Sequence, residues 1–312
     1  MQHPSTPQHE GPQPDGRQRI GFVGLGVMGE AMCRNLVGTQ RFTVTAYDRD
    51  PAAVARLEAA GAARAGDLQA LAGCCDVIIL CLPGGREVEQ VCLGEAGAAG
   101  LVTHLQPGQT LIDMSTSPPA LMRQLAQACA AKGAAFADAP IARTRVAAAE
   151  GTLAIMVGAD ATTFDAILPV LRTMGTDINH CGDVGCGQVV KLMNNMVLFQ
   201  TVQALAEAHA IAQAQGVDPQ LLFETLAQGS ADSFALRHHG MKAILPETFP
   251  LKAFSVAYAA KDLNYARALA AEAGLEAPGA AVVAGSFTAA RNAGDGDRYF
   301  PVIRKALKRQ HD

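Results

Sequence analysis

The sequence has no tryptophan, and only 5% of its 312 residues are aromatic. It also has little charge: 17% of the residues are charged, and 25 basic side chains against 29 acidic ones give a formal charge of −4. Without an excess of lysine and arginine the chain cannot neutralise a phosphate backbone, so we expect no nucleic-acid partner. The hydrophobic share of 49% argues against disorder over most of the chain.

Long apolar runs are also absent. The longest ones, such as residues 77–82, are far shorter than the roughly 20 residues that a transmembrane helix needs. Residues 1–18 lack the apolar core of a secretory signal. We therefore expect a cytoplasmic protein that does not bind membranes.

The eight cysteines show no Cys-x-x-Cys spacing. A disulfide framework is typical of short secreted chains, which this chain does not resemble. A zinc site could be drawn from His180, Cys181 and Cys186, but structural zinc needs four ligands at tighter spacing. We expect no metal, and we interpret the cysteines as free thiols.

The chain divides into three parts. Residues 1–18, rich in Pro, Gln and His, are predicted to be a disordered tail. From residue 19 onwards short apolar runs alternate with helical patterns, which is typical of βαβ units in a parallel sheet. The predicted strands are 20–23, 42–47, 75–82, 110–114, 134–137 and 153–157, and the predicted helices are 27–38, 51–60 and 119–132. This pattern predicts a Rossmann-type doubly wound α/β domain over residues 19–182.

After Gly182 the strand patterns stop. Helical patterns follow at 187–215, 219–229, 255–273, 279–292 and 297–309. They predict an all-α domain over residues 183–312, which would bind the substrate and dimerise. A helix of nearly thirty residues is too long for so small a domain to cover, so we expect a homodimer or homotetramer.

A glycine motif of the form GxGxxG follows the first predicted strand and opens the first helix. Gly24 would permit the tight turn, Gly26 the approach of a pyrophosphate, and Gly29 the packing of the helix on the strand. The predicted coenzyme-binding turn comprises Gly24, Leu25, Gly26, Val27, Met28 and Gly29.

Asp48 lies 22 positions after Gly26, at the end of the second predicted strand. A carboxylate there accepts hydrogen bonds from a ribose and repels a 2′-phosphate, which favours NAD(H) over NADP(H). Arg49 could instead hold that phosphate, so NADP(H) stays as the alternative. Leu82 and Pro83 end another strand and are predicted to border the coenzyme.

Polar side chains mark a second predicted site. Lys191, Asn194 and Asn195 share one helix face among apolar neighbours, which favours a cleft over a solvated charge. Hydroxyl groups at 115–117 end a strand, and a charged pair at 261–262 interrupts an alanine-rich helix.

These segments together resemble the β-hydroxyacid dehydrogenase family, over roughly residues 19–309. The motifs that carry the resemblance are GFVGLGVMG at 21–29, YDRDP at 47–51, CLPG at 81–84, DMSTSPP at 113–119, DAPIART at 138–144, GTLAIMVG at 151–158, GCGQVVKLMNN at 185–195 and KDL at 261–263.

The resemblance implies a role for each polar residue. Lys191 would be the catalytic lysine, which gives or takes the proton during hydride transfer, and Asn195 would orient it or the substrate. Asn194 would border the same pocket. Ser115 and Thr116 would contact the substrate or the nicotinamide, and Lys261 would close over the coenzyme.

One segment departs from the family pattern. Where most members continue Asp-Ala-Pro with Val-Ser-Gly-Gly, this chain has Ile-Ala-Arg-Thr at 141–144. Arg143 and Thr144 are therefore predicted to bind the substrate anion, because a guanidinium can bind an oxyanion with two hydrogen bonds. The change resembles the 3-sulfolactaldehyde reductase branch, which binds a sulfonate. In the alternative interpretation, Arg143 turns outward or pairs with Glu150 or Asp138.

The predicted function is an NAD(H)-dependent interconversion of a short anionic β-hydroxy acid and its semialdehyde. Activities of this type in the family are those of 2-hydroxy-3-oxopropionate reductase and 3-hydroxyisobutyrate dehydrogenase. The first alternative is a 3-sulfolactaldehyde reductase that uses Arg143. An imine reductase and a non-catalytic dinucleotide-binding module remain less favoured, because both interpretations leave Lys191 without a role.

Overall fold

The computed structural model describes residues 16–95 and 97–307. The strands are β1 (Gln18–Val23), β2 (Phe42–Tyr47), β3 (Ala63–Arg64), β4 (Val77–Leu80), β5 (Gly94–Glu95), β6 (Ala98–Ala99), β7 (Thr110–Asp113), β8 (Ala135–Asp138), β9 (Ile141–Ala142), β10 (Leu153–Gly158) and β11 (Gly175–Gly182). The α-helices are α1 (Gly29–Gly38), α2 (Pro51–Glu58), α3 (Leu68–Cys74), α4 (Gly85–Leu93), α5 (Pro119–Ala130), α6 (Arg145–Glu150), α7 (Ala161–Leu171), α8 (Cys186–Ala214), α9 (Pro219–Leu226), α10 (Val256–Glu272) and α11 (Pro278–Asn292). The predicted tail lies, up to residue 15, outside the described residues.

Backbone packing divides the chain into two compact units, Met1–Lys191 and Leu192–Asp312. The predicted boundary at residues 182–183 is not tested by this division and stays a prediction. None of the helices in the described ranges combines the length and the apolar character needed to cross a bilayer.

The first unit is built on one large sheet with the strand order β11-β10-β8-β7-β4-β1-β2-β3. Strands β3, β2, β1, β4, β7 and β8 run parallel, with β1 in register between β2 and β4. Strand β4 is buried along its whole length because helices cover both faces of the sheet. The apolar residues form one core cluster on each face, which confirms the doubly wound α/β prediction.

One edge of the sheet differs from the predicted pattern. Strand β10 runs antiparallel to β8 and places Gly158 opposite Asp138, and β11 then pairs with β10 in parallel. Strand β11 was not predicted from the sequence. It lies at the edge of the sheet with most of its residues exposed or half-buried, so Gly175–Gly182 lacks the apolar run that marks a buried strand. The reversal brings the glycine at the end of β10 against the carboxyl end of β8.

The second unit is helical, as predicted, around a core of aromatic side chains. Phe199, Phe287 and Phe300 are fully buried and meet edge to face, with ring centroids 5.2–6.4 Å apart. The helical pattern at 297–309 is found in part: Phe300–Ala306 is helical, but it is a 3₁₀-helix and not an α-helix. Its start is fixed by tertiary hydrogen bonds, because the Phe300 N–H donates to the carbonyl of Phe254 at 3.0 Å.

A π-helix, Leu236–Ile244, is a further element that the hydrophobic pattern did not predict. Gly240 lies within it, and a Cβ there would be 3.3 Å from both Leu236 and Phe223. The glycine therefore allows this segment to pack closely against the core of the second unit.

Candidate active site

The glycine turn between β1 and α1 has one tight side and one open side. Gly24 has φ +93°, and an added Cβ would overlap the carbonyl oxygen of Cys81. A Cβ on Gly29 would overlap the carbonyl oxygen of Gly24. A Cβ on Gly26, in contrast, would meet no atom within 4 Å. The turn thus leaves room for a ligand at the start of α1, where the helix dipole favours an anion.

Asp48 holds the same turn from the end of β2. Its Oδ2 accepts the backbone N–H of Leu25, and its Oδ1 accepts that of Asp50 at 2.7 Å. The half-buried carboxylate lines a pocket of about 410 Å³ together with Arg49 and Arg64. Arg64 is ion-paired with Glu58 at 2.7 Å. The pocket is therefore lined by one carboxylate and two guanidinium groups.

The other predicted coenzyme residues differ in exposure. Leu25 is buried, Met28, Leu82 and Thr116 are half-buried, and Val27 and Pro83 are exposed. Leu82 contacts the glycine turn, since a Cβ on Gly24 would lie 2.9 Å from its side chain. Its backbone N–H donates to the hydroxyl of Ser115 at 2.8 Å.

Buried polar groups continue from Ser115 along the carboxyl ends of the strands. Asp113 accepts the Ser115 N–H and the Ser117 hydroxyl, both at 2.9 Å. The Gln188 side chain donates to the Ser115 carbonyl at 2.8 Å and accepts the Ser117 N–H at 3.0 Å. Asp138 in turn accepts the backbone N–H of Gln188 at 2.8 Å. We call Asp113, Ser115, Ser117, Asp138 and Gln188 the strand-end network.

Three members of this network were not among the predicted site residues: Asp113, Asp138 and Gln188. Ser117 was noted only as one of the hydroxyl groups at 115–117. The signal that could have found Asp113 and Asp138 is their place as the last residue of two adjacent parallel strands, β7 and β8. No local pattern marks Gln188, because its partners lie 71 and 73 residues away in the chain.

The pKa of Asp138 is raised to about 6, chiefly because burial disfavours the carboxylate. The N–H groups of Gly185 and Gln188 act in the opposite direction, and the neighbouring Asp113 adds to the rise. Above pH 6 the side chain is therefore ionised and accepts both N–H groups.

Lys191 lies three residues after Gln188 on α8. Only 8% of the surface of Lys191 is exposed to solvent. Lysine is rarely buried to this extent in a soluble fold. Lys191 is therefore not a solvated surface charge, and the cleft expected from the sequence stays a prediction.

In the second unit, Asp262 connects two predicted site residues. The Asn195 amide donates to Asp262 at 2.8 Å and accepts from the Asn194 amide at 3.1 Å. Lys261 is ion-paired with the other carboxylate oxygen at 3.1 Å and lies over the ring of Tyr265 at 5.5 Å. Asn195 and Asp262 are buried, whereas Asn194 is exposed.

Arg143 is engaged in a way that the anion-anchor prediction does not describe. Its guanidinium is ion-paired with Asp177 at 2.8 Å and donates to the carbonyl of Thr152. The arginine therefore turns outward as in the alternative interpretation, but its partner is Asp177 and not Glu150 or Asp138. Thr144 is exposed at the start of α6.

Two family models together match most of the chain. Residues 19–182 match the NAD binding domain of 6-phosphogluconate dehydrogenase, and residues 185–306 match the NAD-binding model of NADP-dependent 3-hydroxyisobutyrate dehydrogenase. The chain belongs to the β-hydroxyacid dehydrogenase family. It is an NAD(P)-dependent oxidoreductase that acts on a hydroxy acid or the corresponding carbonyl compound.

Relatives of this β-hydroxyacid dehydrogenase are similar over most of their length. The 2-(hydroxymethyl)glutarate dehydrogenase of Eubacterium barkeri is 36% identical over 83% of this chain and 83% of its own. The 3-hydroxyisobutyrate dehydrogenase of Pseudomonas aeruginosa is 39% identical over 73% of this chain and 76% of its own. The 2-hydroxy-3-oxopropionate reductase of Escherichia coli is 32% identical over 88% of this chain and 92% of its own.

A solved structure supports the same assignment. Mycobacterium tuberculosis 3-hydroxyisobutyrate dehydrogenase, determined with L-serine, superimposes with a TM-score of 0.84 at 31% identity. The match covers 94% of this chain and all of the other. The predicted fold class, a Rossmann-type domain followed by helices, is therefore that of the family.

Proposed function

We propose that this β-hydroxyacid dehydrogenase interconverts a short anionic β-hydroxy acid and its semialdehyde with NAD(H), using Lys191 as proton donor and acceptor. One observation carries the proposal: a continuous set of contacts links the glycine turn to the helical turn that bears the buried lysine. Gly24 packs on Leu82, Leu82 binds Ser115, and Ser115 binds Gln188. Lys191 lies three residues after Gln188 on α8, less than one helical turn away.

The glycine turn fits a dinucleotide. The open side of Gly26 has room for a pyrophosphate, and the N–H groups at the start of α1 can bind it. When bound, the reduced coenzyme supplies a hydride to the substrate's carbonyl carbon, and the oxidised form accepts one from the carbinol carbon. The remaining chemistry is acid–base and falls to the protein.

In reduction, the Lys191 ammonium donates a hydrogen bond to the carbonyl oxygen and polarises it. As the alkoxide forms, the proton moves from Nζ to that oxygen, which leaves a neutral amine. In oxidation, the neutral amine accepts the proton of the substrate hydroxyl. Burial strengthens the interaction, because the charge is poorly screened by water.

The other polar residues would position the reactants. Asn195, held by Asp262, orients the substrate oxygen or the lysine, and Asn194 borders the same pocket. Ser115 and Thr116 contact the substrate or the nicotinamide ring. Lys261 binds the coenzyme.

The substrate class we propose is a carboxylate semialdehyde, such as tartronate, succinate or methylmalonate semialdehyde. Its support is the similarity to relatives named for such hydroxy and oxo acids. The sulfonate alternative gains no support from Arg143, whose guanidinium already binds Asp177 and the Thr152 carbonyl.

For the coenzyme we propose a preference for NAD(H), with Asp48 as its determinant. A carboxylate beside the adenosine ribose repels a 2′-phosphate. Arg49 and Arg64 moderate the effect, and Arg64 is partly neutralised by Glu58. Comparing kcat/KM for NADH and NADPH tests this: Asp48→Asn should move the ratio towards NADPH, whereas an unchanged ratio would overturn the assignment.

Replacement of the lysine tests the proposed function. Lys191→Met keeps most of the side-chain volume but removes the proton donor. With tartronate, succinate and methylmalonate semialdehyde as substrates, kcat should therefore fall by about 10²–10⁴-fold. NADH binding, followed by its fluorescence, should stay within about twofold, because the glycine turn is untouched.

The matched control is Lys132→Met, which removes an exposed lysine that donates to the carbonyl of Thr103. It should leave turnover unchanged. Turnover retained by Lys191→Met would refute the assigned role.

A further inference from the structure

We propose that Asp138 is a positioning residue for Lys191, whose carboxylate fixes the first turn of α8 and sets the charge around the lysine. The inference rests on the proposed function, in which Lys191 transfers the proton. Asp138 itself touches backbone N–H groups and has no assigned contact with substrate or coenzyme.

The carboxylate binds the start of α8 with both oxygens. Oδ1 accepts the Gly185 N–H at 2.6 Å and Oδ2 accepts the Gln188 N–H at 2.8 Å. N–H groups in the first turn of a helix have no partner within the helix, and a capping side chain usually comes from the residue just before it. Here the cap comes from β8, 47 and 50 residues earlier in the chain. It therefore ties the helix to the sheet.

Two glycines make room for this contact. A Cβ on Gly187 would lie 2.8 Å from Asp138 Oδ2, and a Cβ on Gly158 would overlap Oδ1. The carboxylate thus lies between the end of β10 and the first turn of α8, where no side chain would fit. This confinement fixes the height and rotation of the helix start.

Gln188 is held a second time through its side chain. The amide binds the Ser115 carbonyl and the Ser117 N–H while the backbone N–H binds Asp138. Both Gln188 and Asp138 are fully buried. Lys191 lies less than one turn further along, so its Cα is placed by a residue that is fixed on two sides.

The charge of Asp138 acts on Lys191 as well. The N-terminus of a helix carries a partial positive charge, which disfavours an ammonium in the first turns. A carboxylate on the N–H groups of that turn offsets it, and Asp113 is the other carboxylate of the network. We therefore expect Lys191 to stay protonated to a higher pH with the Asp138 carboxylate at the helix start than without it.

The test is Asp138→Asn in the full-length protein. The amide can accept only one of the two N–H groups, and it carries no charge. We expect kcat to fall by roughly 10–100-fold, because small displacements of a catalytic group are costly. The alkaline limb of kcat in the reductive direction should move down by about half a pH unit, while NADH binding stays within about twofold.

Asp160→Asn is a matched control. Asp160 caps α7 by accepting the Thr163 N–H at 2.9 Å, so the same substitution weakens a helix that carries no proposed site residue. It should lower stability yet leave kcat and the pH profile unchanged. A merely structural role for Asp138 predicts that both variants behave alike, and that outcome would overturn the inference.

Failure of the inference can be told apart from failure of the proposed function. If Lys191→Met keeps its turnover, the proposed function is wrong. If Lys191→Met is inactive while Asp138→Asn keeps the wild-type kcat and pH profile, only the positioning role is wrong.

Should Asp138→Asn not fold, hydrogen exchange on the wild-type protein gives the answer. The Gly185 and Gln188 amides should be protected, since Asp138 binds both. Rapid exchange at these two amides would overturn the inference.

Discussion

Arg143 adopts a backbone conformation that residues other than glycine rarely adopt, with φ +86°. A glycine takes positive φ without strain, whereas a residue with a Cβ does not. The loop therefore carries a guanidinium on a backbone conformation that favours glycine. That guanidinium is ion-paired with the exposed Asp177, and because solvent screens such a surface pair, it offsets little of the backbone strain.

Two substitutions separate the backbone strain from the loss of the ion pair. Arg143→Gly and Arg143→Ala both remove the guanidinium, but only alanine keeps a Cβ at positive φ. We expect the free energy of unfolding of the glycine variant to be about 1 kcal/mol higher than that of the alanine variant. Urea denaturation followed by circular dichroism measures the difference, and equal stability would show that the loop relaxes to another conformation.

At the scale of elements, α8 is the part of the fold on which the site depends. Its helical pattern over 187–215 predicts the observed Cys186–Ala214 closely, because small and apolar residues recur at helical spacing. Most strands of the sheet are also found where the sequence predicts them. Strand β11 and the π-helix Leu236–Ile244 are not, since their polar residues are tolerated at a sheet edge or by packing that only the folded unit supplies.

Gly187→Ala should disrupt the junction between α8 and the sheet. The added Cβ would overlap the Met156 carbonyl and press on Asp138, both of which are fixed, so we expect a loss of about 1–3 kcal/mol in unfolding free energy. Gly73→Ala, in helix α3 with no atom within 4 Å of the new Cβ, should instead stabilise by up to about 1 kcal/mol. Thermal unfolding compares the two, and a similar effect in both would contradict the crowding argument.

At the scale of the whole molecule, the second unit contains a buried group that makes stability depend on pH. His239 is hydrogen-bonded to the Tyr299 hydroxyl, and burial lowers its pKa from 6.5 to about 4. The unfolded chain therefore binds more protons than the folded one between pH 4 and 6.5. Stability should fall as the pH drops through this window.

His239→Gln removes this dependence and leaves an acceptor for Tyr299. Relative to the variant, the wild type should lose up to about 3 kcal/mol of unfolding free energy between pH 7 and pH 4. His104→Gln, in the first unit, is the control and should retain the wild-type slope. Urea unfolding at both pH values measures it, and a slope that persists in His239→Gln would assign the acid sensitivity to other groups.

The sequence by itself determined the alternation of strands and helices, the glycine turn at 24–29, Asp48 at the end of β2, and the candidate lysine at 191. These features arise from local periodicity, from turn geometry and from motifs whose residues are close in the chain. Only the tertiary structure decided that Asp138 caps α8, that Gln188 joins two strand ends, and that Arg143 pairs with Asp177. Such contacts join residues 34–73 positions apart, so they form only when packing brings the segments together. In the buried contacts of Asp138 and Gln188, the same packing also removes water from the polar groups.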